Sequence, residues 1–298
     1  MTNYTVGIDI GGTSVRAALV SRDGKMITHK MIPTESEKGP EALVEKLKGM
    51  VHEVTIGKSY EAIGVGCPGP LNPFDGVILD PPNLKGWRNV PLREMLEQAF
   101  NKNVTVDNDA NAAALGEAII GAGKGYGTVF YITVSTGIGG GIVINERIFH
   151  GAQGNAGEIG NMVIESDRKK VGNLNGGALE TLASGTAIGM LAHEKYEISG
   201  GAKAVFEKME SGDRDAYEII DQAMTHLAIG IGNIANSFNP SVFVLGGGVM
   251  EQSAALAMVN DKAKNYLYES LKEDLIIKKA ELGKDAGVIG AAMLPNYK

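Results

Sequence analysis

Apolar residues in this chain follow two rhythms: short unbroken runs that end in glycine, and longer stretches with a period near that of a helix. Residues 4–10 and 14–21 are two such runs separated by Gly11-Gly12, which predicts two strands joined by a tight turn. A third strand is expected over 26–32. In 40–54 the apolar positions Leu43, Leu47, Met50, Val51 and Val54 repeat with helical spacing behind Pro40, a residue suited to a helix start. Next come a strand over 61–67, a Pro- and Gly-rich loop with little regular structure through Trp87, a helix over 91–100, a strand over 103–107 and a helix over 110–122. Residues 127–144 repeat the opening design of apolar run, glycine turn and apolar run, now with hydroxyls in the turn. Residues 145–180 read as irregular, 184–237 as mostly helical and 241–249 as a strand ending in glycines. A helix, a strand near 274–278 and a short helix near 285–294 close the chain. Strands alternating with helices define an α/β class.

Composition narrows the function classes. The 298 residues, 44% hydrophobic and 21% charged, suffice for a buried core and for two medium domains. A net charge of −7 argues against a general nucleic-acid footprint, which needs a basic face. The single Cys67 excludes an internal disulfide framework and a multi-cysteine zinc site, and fits a reducing cytoplasm. No apolar run approaches the length of a membrane span, and Asp9, Arg16, Arg22 and Asp23 interrupt the first apolar stretch, unlike a signal peptide.

The candidate chemistry sits where the apolar runs end. Gly64 to Gly69 formally matches G-x-G-x-x-G, but prolines at 68, 70 and 73 forbid the helix that a dinucleotide site must open there. No phosphate loop of the G-x-x-x-x-G-K-[ST] type is present. Three other glycine turns remain: Asp9 to Thr13, Ser135 to Gly141, and Leu245 to Val249. Each alone reads as an ordinary strand connection. Together they are the backbone concavities that bind anions, with Thr13, Ser135 and Thr136 offering hydroxyls. A buried carboxylate at Asp9 then has a purpose, since hydrated Mg²⁺ takes one or two carboxylates plus phosphate oxygens. Asp107, Asn108 and Asp109 stand between a strand and an alanine-rich helix. Asn108 or Asp109 serves either as a helix cap or, for Asp109, as a general base toward a substrate hydroxyl.

The set DIGGT, CPGP, PPNLKGW, VDNDANAAALGEA, STGIGGGIV, AGEIGN, GALET-ASG and VLGGGV, in this order along the whole chain, resembles the ROK family of repressors, open reading frames and kinases. The resemblance implies the two-lobed actin/Hsp70/sugar-kinase (ribonuclease H-like) α/β fold, with a nucleotide cleft between lobes. It places the N-terminal lobe at 1–118 plus a C-terminal helix near 285–298, and the C-terminal lobe at 119–284. It implies ATP and Mg²⁺ as cofactors, held by Asp9, Gly11, Gly12 and Thr13 and by the turn Ser135, Thr136, Gly137, Gly139 and Gly140, with Gly246, Gly247 and Gly248 lining the adenosine. Asp109 matches the family's catalytic base. Asn83, Asn108, Glu158 and Glu180 match residues that bind sugar hydroxyls; read alone, Glu158 and Glu180 would be solvated loop charges. Trp87 reads as packing.

Two departures stand out. Zinc-bearing relatives have a histidine where Asn161 stands, and cysteines where Val171, Asn173 and Ala178 stand, so no zinc is expected and 161–180 should be held by ordinary packing. Asn161 should also loosen the pocket near the sugar's anomeric carbon. The expected function is ATP-dependent phosphorylation of a hexose unit at its 6-hydroxyl, in glucose or a β-glucoside such as cellobiose. Alternatives are N-acetylmannosamine or another hexose, or a non-catalytic sugar sensor. A homodimer is expected, with no nucleic-acid or membrane partner; with eight residues ahead of Asp9, direct DNA binding through a module before the first turn is not expected.

Overall fold

The computed structural model describes residues 4–297. In chain order its elements begin with β1 (Tyr4–Ile10), β2 (Ser14–Ser21), β3 (Met26–Pro33), α1 (Pro40–Val54), β4 (Ala62–Cys67), β5 (Leu71–Asn72) and β6 (Val77–Ile78). They continue through α2 (Leu92–Phe100), β7 (Asn103–Asn108), α3 (Asp109–Ile119), β8 (Thr128–Val134), β9 (Ile138–Ile144) and β10 (Arg147–Ile148). The chain then runs through α4 (Leu179–Ala183), α5 (Gly185–Tyr196), α6 (Gly201–Glu210) and α7 (Arg214–Phe238). It ends with β11 (Val242–Gly246), α8 (Ser253–Ala263), β12 (Ile277–Lys279) and α9 (Ala286–Tyr297). The loop before Trp87 contains the short β5–β6 hairpin, and 145–180 contains β10; both are too short to leave a period in the sequence. The strand expected near 274–278 lies at Ile277–Lys279. No helix among the described residues is long and apolar enough to cross a membrane.

The chain divides into two compact units. One comprises Met1–Gly127, Gly141–Ala156 and Glu281–Lys298, the other Thr128–Gly140 and Gly157–Ala280. Residues 141–156 thus belong to the first unit, where a sequence boundary at 118 assigns them to the second.

In the first unit the sheet order is β3-β2-β1-β4-β7. The hairpin strands pair antiparallel, and β1, β4 and β7 run parallel. Alternation sends Val6, Ile8 and Ile10 into a core with Leu43, Leu47 and Met50 of α1 and with Trp87. Trp87 is fully enclosed and donates Nε1–H to the Ser36 carbonyl at 3.2 Å, so it packs. The opposite face carries Gly7 and Gly64, side by side in the β1–β4 register. A Cβ on Gly7 would lie 2.1 Å from the Val288 carbonyl oxygen, and one on Gly64 1.7 Å from that of Ala291. Bare glycine therefore lets α9 lie directly on the sheet. Gly290 repeats the device toward α3, where a Cβ would stand 1.7 Å from the Ala112 oxygen. A helix of small and apolar residues buried on all sides is the sequence consequence.

The second sheet has the order β10-β9-β8-β11-β12. Its β8, β11 and β12 are parallel. In the second unit α7 is capped by Asp213, which accepts the Ala216 N–H at 3.0 Å, and ends at Asn239 in a left-handed conformation ahead of Pro240.

Candidate active site

In the first unit the parallel strands bring Asp9, Gly66 and Asp107 into one cross-strand row at their carboxyl ends. Gly66 leaves the space between the carboxylates open: a Cβ there would be 3.5 Å from the Asp109 Cα and 3.9 Å from Asp9 Oδ1. The Asp9 carboxylate accepts no side-chain or backbone hydrogen bond from the described residues. Burial first, and the neighbouring Asp109 charge second, raise its carboxyl to about 6, against a smaller opposing effect of Arg16. Arg16 is the cross-strand partner of Asp9 and pairs with Asp285 at 2.5 Å. Burial also raises the Asp109 carboxyl, opposed by the N–H groups of Ala110 and of Asp109 itself. The Cys67 thiol beside them is pushed up by burial and then by both charges, so it stays protonated.

The first glycine turn is closed by the Gly11 N–H on the Ser14 carbonyl at 2.9 Å. It is fastened from outside by Thr34, whose hydroxyl donates to the Gly11 carbonyl at 2.6 Å and whose N–H donates to that of Thr13 at 3.0 Å. Gly12 and Thr13 are exposed, and a Cβ on Gly12 would be 3.1 Å from the Asn83 carbonyl oxygen, so this turn and Asn83 are neighbours. Asn108 is the cap of α3, its Oδ1 accepting the N–H of Ala110 at 2.8 Å and of Asn111 at 3.3 Å. Asp109 Oδ1 shares the Ala110 N–H at 2.8 Å. Two carboxylates, one with no hydrogen-bond partner, beside a glycine turn form a donor set suited to Mg²⁺ with phosphate oxygens completing its shell.

In the second unit the other two glycine turns lie together at the carboxyl ends of the parallel β8 and β11. Gly247, at φ +89°, sits so close to Val134 that a Cβ would be 2.4 Å from its carbonyl oxygen, and the Val249 N–H bonds that oxygen at 3.0 Å. Ser135 and Thr136 are exposed, and Gly139 is an interior residue of β9. The turn residues and Gly248 line a cavity of about 800 Å³ whose apolar wall includes Met190, Ile198 and Phe206. Glu158 is exposed and precedes a helical turn at Ile159–Asn161.

Glu180 is not a solvated loop charge: it sits in the first turn of α4, and its Oε2 accepts the Ile138 N–H at 2.7 Å. Asn161 Oδ1 accepts the Asn175 N–H at 2.7 Å. The segment 161–180 is held by more than packing. Ile164 donates to the Gly177 carbonyl at 2.8 Å, and Glu165 meets His226 of α7 at 2.7 Å. Among the described residues no cluster of three or more His, Cys, Asp or Glu could hold a metal.

Sequence reasoning missed Thr34, the Asp107–His150 pair and Glu117. The last is a fully enclosed carboxylate that accepts the N–H groups of Ala122, Glu281 and Leu282 at 2.9, 3.1 and 2.8 Å.

The ROK family model matches residues 5–297, and the chain belongs to that family. It is 32% identical to a glucokinase of Thermotoga maritima over 97% of this chain and 96% of that one. Its fold matches the crystal structure of a ROK hexokinase from Thermus thermophilus, with a TM-score of 0.89, 34% identity and coverage of 98% and 97% of the two chains. It also matches a ROK family glucokinase from Streptomyces griseus in complex with glucose and AMPPNP, with a TM-score of 0.83, 31% identity and 98% coverage of both chains. The fold is therefore that of the ROK sugar kinases.

Proposed function

We propose that the protein is an ATP-dependent hexose kinase acting on the 6-hydroxyl of glucose or of a β-glucoside. The observation that carries the reading is Asp109: a buried carboxylate whose basicity burial raises, held at the sheet's carboxyl edge by the first turn of α3, with Asp9 beside it. The kinship with glucokinases supports it.

In this reading Asp109 takes the proton of the sugar hydroxyl as that oxygen attacks the γ-phosphorus and ADP leaves. A base placed in this way contributes about 10²–10⁴ in rate. Asp9 holds Mg²⁺, which neutralises phosphate charge when bound. The turn hydroxyls of Thr13, Ser135 and Thr136 and the bare N–H groups beside them bind phosphate oxygens, and positioning supplies most of the remaining acceleration. The cavity beside Gly248 takes the adenosine. Asn83, Asn108, Glu158, Asn161 and Glu180 receive the sugar hydroxyls, carboxylates and amide oxygens being acceptors for vicinal hydroxyls. The working form is a homodimer, which mass measurement in solution tests.

Consumption of Mg-ATP with glucose, cellobiose, methyl β-glucoside, N-acetylmannosamine, fructose and no sugar tests the reading. Turnover that requires glucose supports the kinase. Turnover of cellobiose or the methyl glucoside adds an open anomeric side. No turnover with any sugar, together with thermal stabilisation by one of them, replaces the kinase by a sensor.

A further inference from the structure

Glu180 does two things that a plain sugar ligand need not do. Its Oε2 accepts the Ile138 N–H at 2.7 Å, and Ile138 directly follows the second glycine turn. Its carboxylate is clasped by two glycines: a Cβ on Gly137 would lie 2.6 Å from Oε2, and one on Gly160 3.3 Å from it. Gly137 belongs to the turn and Gly160 to the segment that carries Glu158 and Asn161. One carboxylate is thus wedged between the proposed phosphate-binding turn and the proposed sugar-binding segment. Its other oxygen, Oε1, accepts no hydrogen bond from any described residue.

The turn has few other anchors. The Ser135 N–H closes it on the Gly137 carbonyl at 2.9 Å, and the Gly185 N–H holds the Ser135 carbonyl at 2.7 Å. The Thr186 N–H adds a longer bond to the Thr136 carbonyl at 3.3 Å, and beyond Gly137 the Ile138 N–H rests on Glu180. The backbone of α4 is fixed by the buried Leu179 and Ala183, so the movable part is the Glu180 side chain. A carboxylate is planar; a hydroxyl donating to Oε1 fixes the orientation of Oε2 as well, and a hydrogen bond to an ionised acceptor is among the stronger kinds.

We propose that Glu180 couples sugar and nucleotide binding, Oε1 accepting a sugar hydroxyl while Oε2 sets the turn whose Ser135 and Thr136 line the nucleotide cavity. The proposal rests on the kinase reading above. Coupling between two ligands is reciprocal, so sugar tightens nucleotide as much as nucleotide tightens sugar.

The test is calorimetric titration of Mg-AMPPNP with and without saturating glucose on the wild type, E180A and E180Q, with melting temperatures recorded. Glucose should tighten AMPPNP on the wild type about fivefold or more, the lower end of ordinary coupling. Without sugar, E180A should bind AMPPNP more weakly than the wild type by a similar factor, roughly fivefold. E180Q keeps an oxygen for the Ile138 N–H and should restore sugar-free AMPPNP affinity while its glucose affinity falls. Equal sugar-free affinities of E180A and wild type overturn the coupling and leave the kinase standing, since turnover measures that separately. Failure of the wild type to bind any hexose overturns both. Should E180A melt below the assay temperature, E180Q decides: glucose coupling retained in full overturns the proposal, and coupling lost with sugar-free affinity kept supports it.

Discussion

Asp107 and His150 meet across 43 residues of chain, the carboxylate Oδ2 lying 2.7 Å from the imidazole Nε2, with the Asp107 side chain fully enclosed. The other oxygen, Oδ1, accepts the Asn108 N–H at 2.8 Å and the Asn111 side-chain amide at 3.0 Å. The buried pair therefore braces the turn that presents Asn108 and Asp109. His150→Leu removes one hydrogen-bond partner of an enclosed carboxyl group, a loss that costs about 1–3 kcal/mol. Urea unfolding should show a lower midpoint. His150→Gln, which keeps a donor, should lose less.

Asp109→Asn should lower kcat by roughly 10²–10⁴ while the variant still binds glucose and AMPPNP. The acid side of the wild-type kcat/KM profile should lie above the ordinary carboxylate range, because burial raises the Asp109 carboxyl and the base must be ionised to act. Near-normal turnover by the asparagine variant removes Asp109 from that role.

Asp9 sets a stability trend of definite sign. Burial and the neighbouring Asp109 push its native carboxyl up to about 6, from the ordinary aspartate value of 3.8, so the native state holds the extra proton. Without metal, stability therefore falls as pH rises through that window and is level above it. Asp9→Asn should be more stable than the metal-free wild type at pH 8, by up to about 3 kcal/mol, with the difference vanishing near pH 4. Mg²⁺ with nucleotide should stabilise the wild type more than this variant, since only a ligand bound by the native state shifts the melt. Melting curves at several pH values, with and without Mg-AMPPNP, measure both.

Gly64→Ala and Gly290→Ala each place a methyl group 1.7 Å from a backbone oxygen, at Ala291 and Ala112 respectively. Backbone must shift, and the cost should exceed about 3 kcal/mol, the upper end of ordinary overpacking. Gly57→Ala, where a Cβ meets nothing within 4 Å but φ is +71°, should cost about 1–2 kcal/mol from backbone conformation alone. Chemical denaturation of the three variants ranks them.

Glu117→Ala should be among the more destabilising single changes, because three backbone N–H groups lose their one side-chain acceptor in an enclosed place. A fall in the denaturation midpoint with the Mg-AMPPNP affinity of the folded fraction unchanged is the expected signature.

Local rhythm made the strands legible. Gly11-Gly12 between apolar runs needs only neighbouring residues to form a hairpin, and 40–54 needs only its own period to present a face. The three glycine turns were legible for the same reason, and so was the choice at Asn108 and Asp109, although only the fold shows that Asn108 caps α3 with two N–H groups on its Oδ1. Gly7, Gly64 and Gly290 look like ordinary members of apolar runs, because the helix they admit comes from the far end of the chain.

What the sequence determined by itself is the set of elements, the glycine turns and the family kinship, all carried by residues near one another or by their order. What tertiary structure alone decided is where single polar atoms end: Glu180 on the Ile138 N–H, Asp107 on His150, Glu117 on Glu281 and Leu282. A buried carboxylate must find donors wherever the fold supplies them, and hydrogen bonds reach only about 3 Å. Partners joined over such a distance can lie more than a hundred residues apart in sequence, as Glu117 and Leu282 do, and no local pattern records them.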